Sequence, residues 1–413
     1  MYFVWQQRLF DNIESLDGHS LEVIHPGLRN HETGPDFFNA KVRYDGILWA
    51  GNVEMHVRSS DWFRHHHQDN KIYDSVILHV VLQADEQIHL HDGTELKTVV
   101  MHIPNEVMKR YYALCGANIT SPADMPLLPG QTPSYTSISC RPRVTELPKI
   151  ILHDWMNALV IQRMLGKMSR VQNAVEQDMK SWEEGFYIIL MRSLGTGTNG
   201  DAMERLARSL PYSHLLHHRD NLFQLRAMLL GQASLIDPSS PESAALNSEY
   251  NFLRNKFNLN PLPATVWKMS RLRPLAAPDL RIEAFANLLW NHKNLLSEIL
   301  ECHSLDQIEH LLSVKGIGRQ TKRILIINAV IPTLLSYYKW QGEDERCEEV
   351  LSLLEKLPAE DNRYMTQWIE AGIPIRSALD SQALLHLYQN YCQPHKCLQC
   401  RIGCWLIKHQ DSI

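Results

Sequence analysis

Residues 35–82 read PDFFNAKVRYDGILWAGNVEMHVRSSDWFRHHHQDNKIYDSVILHVVL, and this stretch decides the fold of the first part of the chain. Phe38–Tyr44 and Ile47–Val57 each read as a strand. Asp45-Gly46 between them is a strong signal for a tight hairpin. On the second strand Asn52, Glu54 and His56 share one face, and Val53, Met55 and Val57 share the other. Ser59-Ser60-Asp61 can cap a short helix running through Trp62–His67. Tyr73–Leu82 is almost wholly apolar, the pattern of a strand buried on both faces.

Working outward, His19–His25 forms a further strand closed by Pro26-Gly27, and Val4–Glu14 reads as a helix. Asp92-Gly93 turns into a strand over Leu96–Ile103. The expected order is α-β-β-β-α-β with more strands after it. Residues 118–147 are rich in Pro, Ser and Thr and read as a linker. From 148 to 391 the apolar period is helical, with helices at Ile150–Leu165, Ser181–Leu194, Asn221–Leu230, Ile282–Leu300 and Leu305–Leu312. The expected fold class is α+β. A mixed α/β sheet domain occupies 1–117, a linker 118–147, a helical domain 148–391 and a cysteine cluster 392–404.

The 413 residues exceed one ordinary core, and 44% apolar content supplies ample burial. A charged fraction of 21% argues against disorder. The net charge of −5 excludes a uniformly basic nucleic-acid binder, so such contacts would need local patches. No stretch has the length of a membrane helix and the N-terminus lacks a signal-peptide layout. A cytoplasmic protein without a membrane partner is therefore expected.

Three polar clusters fall within the opening stretch: Gly34–Phe37, Asn52–His56 and Asp61–Asp69. The hairpin can bring Asp36 and Glu54 to one end of the sheet. Two carboxylates that close repel unless one is protonated or a cation lies between them. A hard ion, Mg²⁺ or Mn²⁺, suits such a pair. His56 lies on the face of Glu54 and could orient water or steady phosphate charge. Glu22, Asn39, Asp61, His65, His67 and His79 are candidate supporting residues. The bland alternative makes Gly34–Asp36 a turn, Glu54 and His56 the wet face of an edge strand, and His65–His67 solvated surface. His79 reads equally as ligand or core histidine. A zinc hydrolase built on His56, His65, His67 or His79 is the rival chemistry.

The Pro-Asp, the hairpin and the following acid-x-base resemble the PD-(D/E)XK nuclease superfamily, as does the element order. The resemblance implies metal binding by Asp36 and Glu54, places His56 where that family usually has Lys, and offers Glu14 or Glu22 as an upstream acid. The run GPDFFNAKV, GNVEMHVRSSDWFRHHHQD and YDSVILHVV also resembles, over most of the chain, a large bacterial family known only as a domain of unknown function. That second resemblance implies no activity.

Residues 311–323, LLSVKGIGRQTKR, resemble a helix-hairpin-helix motif. Gly316 and Gly318 permit a tight turn, backbone N–H groups at the next helix can hold a phosphate, and Lys315, Arg319, Lys322 and Arg323 supply counter-charge. Thr321 completes the candidate DNA-binding set. A plain interhelical turn with a basic flank is the alternative. The segment is also similar to the hairpin of the endonuclease III type of DNA glycosylase, although Gln320 stands at that family's catalytic Lys. The resemblance implies DNA binding without glycosylase chemistry.

Cys392, Cys397, Cys400 and Cys404 place four soft ligands close together, suiting [4Fe–4S] or Zn²⁺. His395 could replace one of them on zinc. Cys115, Cys140, Cys302 and Cys347 are scattered and read as buried thiols. Gly195–Gly200 satisfies GxGxxG but follows a helix and reads as a loop. Arg271–Pro274 is basic and reads as a solvated turn. The sequence thus leads to a metal-dependent DNA endonuclease or phosphodiesterase with a helical DNA-binding domain. A catalytically silent nucleic-acid binder and a zinc-dependent hydrolase of a small substrate are the alternatives.

Overall fold

The computed structural model describes residues 1–413 apart from 12, 31, 115–137, 139, 178–180, 238, 271–275 and 410–413. The fold is α+β, and the chain divides into two compact units. One comprises Met1–Leu147 with Tyr391–Ile413, the other Pro148–Asn390.

The first unit is built on a seven-stranded mixed sheet. Its strands are β1 (Ile13–Ser15), β2 (Leu21–His25), β3 (Leu28–Arg29), β4 (Phe37–Tyr44), β5 (Ile47–Arg58), β6 (Val76–Gln83) and β7 (Thr98–Met101). The order is β1-β7-β6-β5-β4-β2, with β3 beside β4. Asp45 (φ 49°) and Gly46 (φ 75°) both take left-handed backbone, the requirement of the tight turn joining β4 to β5. β5 and β6 pair in parallel, so residues 59–75 must cross over between them, and Glu54 lies opposite His79. Val53 and Met55 pack into a core with Trp5, Phe37, Val42, Leu78, Val80, Val99 and Met101. The opposite face of β5 carries Glu54 and His56, each about as buried as the core. The period of two thus sends a polar pair to a covered face.

Several expectations change. The helix at Val4–Glu14 is only α1 (Tyr2–Gln7). Arg8 turns left-handed (φ 52°) and ends it, and Ile13–Ser15 becomes the edge strand paired with β7. The helix at Trp62–His67 shortens to α2 (Asp61–Arg64), followed by a 3₁₀ turn at His67–Asp69. Ser59 and Ser60 spend their hydroxyls on Asp85 instead of capping, and His66 (φ 59°) breaks the helical path. Tyr73 sits in a 3₁₀ turn, Lys71–Ser75, before β6. Of the expected linker, 118–137 lies outside the described residues, whereas Arg141–Glu146 forms a 3₁₀ helix with Val144 buried. The segment Arg401–Lys408 is helical and packs on α3 (Asn105–Leu114), with Arg110 Nη1 donating to Ile407 O at 3.2 Å. The cysteine-bearing terminus therefore belongs to the sheet unit.

The second unit is helical around α4 (Lys149–Glu176), which packs against α5 (Trp182–Leu194), Ile331–Gln341 and Ala378–Leu387. Gly195–Gly200 is no loop: Gly195 caps α6 (Thr196–Ser209). The helix expected over Ile282–Leu300 breaks at His292, because Asn294 accepts from Ser297 N and starts a new turn at Leu295–Leu300. Arg271–Pro274 lies outside the described residues. Among the described residues no helix is long and apolar enough to cross a membrane.

Candidate metal centre

Asp36 and Glu54 do meet. Asp36 N–H donates to Glu54 Oε2 and Met55 N–H donates to Asp36 Oδ2, each at 3.0 Å. The hairpin makes this reciprocal clasp, since Asp36 stands at the entry of β4 and Glu54 near the end of β5. Arg29 Nη1 takes Asp36 Oδ1 at 3.2 Å and is itself stacked 3.4 Å over the Tyr2 ring. Both Asp36 oxygens are thus engaged by donors of the protein. Burial, then the nearby Glu54 charge, push the Asp36 carboxyl up to about 6, with Arg29 opposing.

Glu54 Oε1 faces the histidines. It lies 3.3 Å from His67 Nε2 and 3.6 Å from His56 Nε2. His56 Nε2 is in turn 3.1 Å from His65 Nδ1. Ring nitrogens of His56, His65 and His67 all fall within 4.8 Å of one another. Ligands about 2.0–2.1 Å from one tetrahedral ion lie roughly 3.3 Å apart. Glu54–His67, Glu54–His56 and His56–His65 thus stand near that spacing, and the three histidines alone form a mutually close set.

The surroundings fix these rings. Trp62, fully buried, meets His56, His67 and His79 edge-on or tilted at centroid distances of 5.3–6.4 Å. Tyr73 stacks on His67 at 3.8 Å. His56 Nδ1 lies 2.8 Å from His79 Nε2, the position of an outer partner that orients a ligating imidazole. Burial, then neighbouring imidazoles, push His56 down to about 4 and His79 to about 3. Both rings are neutral near pH 7, the form that offers a lone pair to a cation. His79 Nδ1 is buried without a partner. His65 is exposed, so the centre is reached from solvent.

The remaining candidates separate. His66 turns outward, 79% exposed on its side chain. Asp61 accepts from Arg58 N and pairs with Arg64 at 2.8 Å, which makes it a turn residue. Asn39 is an exposed bulge whose N–H donates to Asn52 Oδ1. Glu22, on the outer strand β2, pairs with Arg43 and does not join Glu54, and Glu14 stands on β1 at the far edge of the sheet. Arg29, Tyr2, Trp62 and Tyr73 were not singled out in the sequence. Arg29 and Tyr2 carry no motif, while the two crossover aromatics were in view as apolar residues only.

The family model described as "Protein of unknown function (DUF2851)" matches residues 1–316 and 312–363. The chain belongs to the DUF2851 family. No curated protein and no solved structure matches it.

Two further sets in this DUF2851 member bear on the expectations. In the sheet unit, Cys392 ends a π-helical turn, Cys397 opens a 3₁₀ turn, and Cys400 caps the helix that carries Cys404. Cys404 Sγ donates to Leu398 O at 3.1 Å. Cys140 was expected to stand apart, yet it lies near Cys392 and Cys400. Burial first, then the Cys400 charge, push its thiol up to about 12. Cys302 and Cys347 are half-buried, and Cys115 lies outside the described residues. In the helical unit, Leu305–Leu311 and Arg319–Leu325 flank the 312–318 turn. Gly316 (φ 90°) lies so close to Ala284 that a Cβ there would sit 2.8 Å from the alanine methyl. Lys315, Gly318 and Arg319 are exposed. Thr321 is buried and accepts from Arg281 Nη1 at 2.6 Å, and Lys322 Nζ donates to Ser313 Oγ at 3.0 Å. Those two residues brace the hairpin.

Proposed function

We propose that this protein is a metal-dependent hydrolase of phosphodiester bonds in DNA. The reading rests on one observation: nitrogens of His56, His65 and His67 lie within 4.8 Å of one another, with Glu54 Oε1 3.3 Å from His67 Nε2 and 3.6 Å from His56 Nε2. These four residues would hold the ion. Asp36 would position Glu54 through the backbone clasp. An imidazole-rich set suits Mn²⁺ or Zn²⁺ better than Mg²⁺, which prefers oxygen and water. Such an ion, when bound, supplies Lewis-acid polarisation of a phosphoryl oxygen and a more acidic water. His79 would hold His56 in one orientation, and Arg29 would keep Asp36 ionised beside Glu54. Solvent access at His65 suits a polymeric substrate. The hairpin's Lys315 and Arg319 would contact phosphates, with the N–H groups after Gly318.

The terminal cysteines would hold [4Fe–4S] or Zn²⁺, with Cys140 as an added ligand. Among the described residues no three thiols lie within 4.8 Å of one another. Thiolates on one zinc ion at about 2.3 Å lie roughly 3.8 Å apart, so the wider set favours the cluster. Absorbance near 400 nm together with bound iron in purified protein would support it, and zinc alone would refute it.

The deciding assay incubates the full chain with linear, nicked, single-stranded and branched DNA plus Mg²⁺, Mn²⁺ or Zn²⁺, beside Glu54→Ala. Cleavage by the wild type that vanishes in the variant supports the proposal. Binding without cleavage under every metal would make the protein a silent nucleic-acid binder. Bound zinc with neither cleavage nor DNA binding would favour a small-substrate hydrolase.

A further inference from the structure

The helical unit holds a cleft of about 380 Å³ lined by Arg163, Lys167 and Arg170 of α4, Arg192 of α5, Glu360 and Gln382. The spacing i, i+4, i+7 puts the three α4 cations on one face. Arg192 is neutralised at 2.6 Å by both Asp201 and Glu204. The α4 cations are treated differently. Arg163 donates to Gln382 Oε1 at 2.6 Å and to Gln389 Oε1 at 3.0 Å. Lys167 Nζ donates to the same Gln382 oxygen at 2.7 Å and to Ile327 O at 3.2 Å. Arg170 is exposed and has no hydrogen bond or ion pair among the described residues.

Every acceptor in this set is neutral. Among the described residues Glu360 is the one carboxylate lining the cleft, and its Oε2 accepts from Gln382 Nε2 and from Ser381 Oγ. That bond fixes the buried Gln382 amide so that its oxygen faces the cations. Ile327 lies in a π-helical turn, Ile326–Val330, a departure from α-helix that recurs at functional sites. Three cations face one carboxylate across a cavity, and hydrogen bonds to amides do not cancel their charge. Two guanidinium forks and one ammonium are a recognition set for phosphate oxygens. Burial holds the Lys167 ammonium well below the ordinary lysine range, which a bound anion would reverse.

We propose that this cleft binds a phosphate group, with Lys167 and Arg163 at its floor and Arg170 at its mouth. The group comes either from a free nucleotide, whose size the cavity suits, or from a polynucleotide chain. The site is independent of the metal centre, and each is probed with a different ligand.

The test is calorimetry on the full chain at low ionic strength, with inorganic phosphate as the probe. One saturable site is expected. Arg170→Gln and Lys167→Met should each weaken it by about tenfold or more, the scale of a lost charged hydrogen bond. Glu360→Gln should tighten it several-fold by removing the facing charge, an effect that a merely structural role would not produce. No binding up to about 10 mM phosphate, or binding indifferent to Arg170→Gln and Lys167→Met, would overturn the proposal. Arg170 is exposed, so its variant keeps the test valid if Lys167→Met fails to fold. Competition by AMP alone assigns a free nucleotide, and competition by a short DNA oligonucleotide without terminal phosphates assigns the chain. Either result sustains the phosphate site.

Discussion

The candidate metal centre and the α4 cleft are electrostatic opposites. At the centre, ring nitrogens of His56, His65 and His67 gather beside the Glu54 carboxylate. In the cleft, Arg163 and Lys167 donate to amide and carbonyl oxygens, with the Glu360 carboxylate beside them. Other charged groups close on themselves, as Arg226 does with Glu242 and Glu283, or Arg208 with Glu204. Unspent polarity of one sign thus marks a place where an outside ion of the other sign fits.

The largest expected effect breaks the first half of this contrast. Glu54→Ala should abolish metal-dependent DNA cleavage and weaken Mn²⁺ or Zn²⁺ binding by about 100-fold or more, since outer-shell changes alone reach that scale. Cleavage at the wild-type rate would end the metal reading. Trp62→Ala should destabilise the protein by about 3–5 kcal/mol in urea unfolding, because it empties the wall behind three histidines. A loss under about 1 kcal/mol would show that the rings hold their places without it. Within the histidine run, His67→Ala should weaken metal binding about 10–100-fold, and His66→Ala should leave it unchanged. Equal effects at both positions would dissolve the distinction between inward and outward rings.

The smallest effect concerns the cleft. Lys167→Met should raise stability in phosphate-free buffer by an amount on the order of 1 kcal/mol, because an ammonium without a contacting carboxylate is removed. The sign with pH follows from the depressed lysine. The unfolded chain holds that proton more tightly, so folding stability rises with pH from the lowered folded value toward about 10.4. The wild type should show this rise in thermal melts taken across that window. Lys167→Met should lack the Lys167 share of it, and an unchanged slope would place the ammonium in full solvent.

The hairpin was legible because Asp45-Gly46 imposes its own backbone, and the faces of β5 followed from a period of two. The pairing of Asp36 with Glu54 followed from the same hairpin. What stayed hidden depends on tertiary placement. His65 and His67 read either as supporting residues or as solvated surface because three adjacent histidines carry no period, and the left-handed turn at His66 brings His67 to Glu54 and His65 to His56. Arg29 reaches Asp36 from a two-residue strand with no pattern of its own. Cys140 stands some 250 residues before its companions and carries no spacing signal. Of the α4 cations, Lys167 and Arg170 lie beyond the helix read at Ile150–Leu165, and Gln382, far along the chain, gives Arg163 and Lys167 a common partner.

One consequence follows from the crossover between β5 and β6. Glu54, His56 and His79 belong to the sheet, but His65 and His67 ride on the connection, which Asp85 moors at Ser59 and Ser60 and Asn70 braces through Ile72. Half of the proposed ligand set could therefore leave while the strands stay paired. Ion exchange would proceed by sub-global opening of this segment, and the release rate would track the deuterium uptake of residues 59–75 more closely than that of β5.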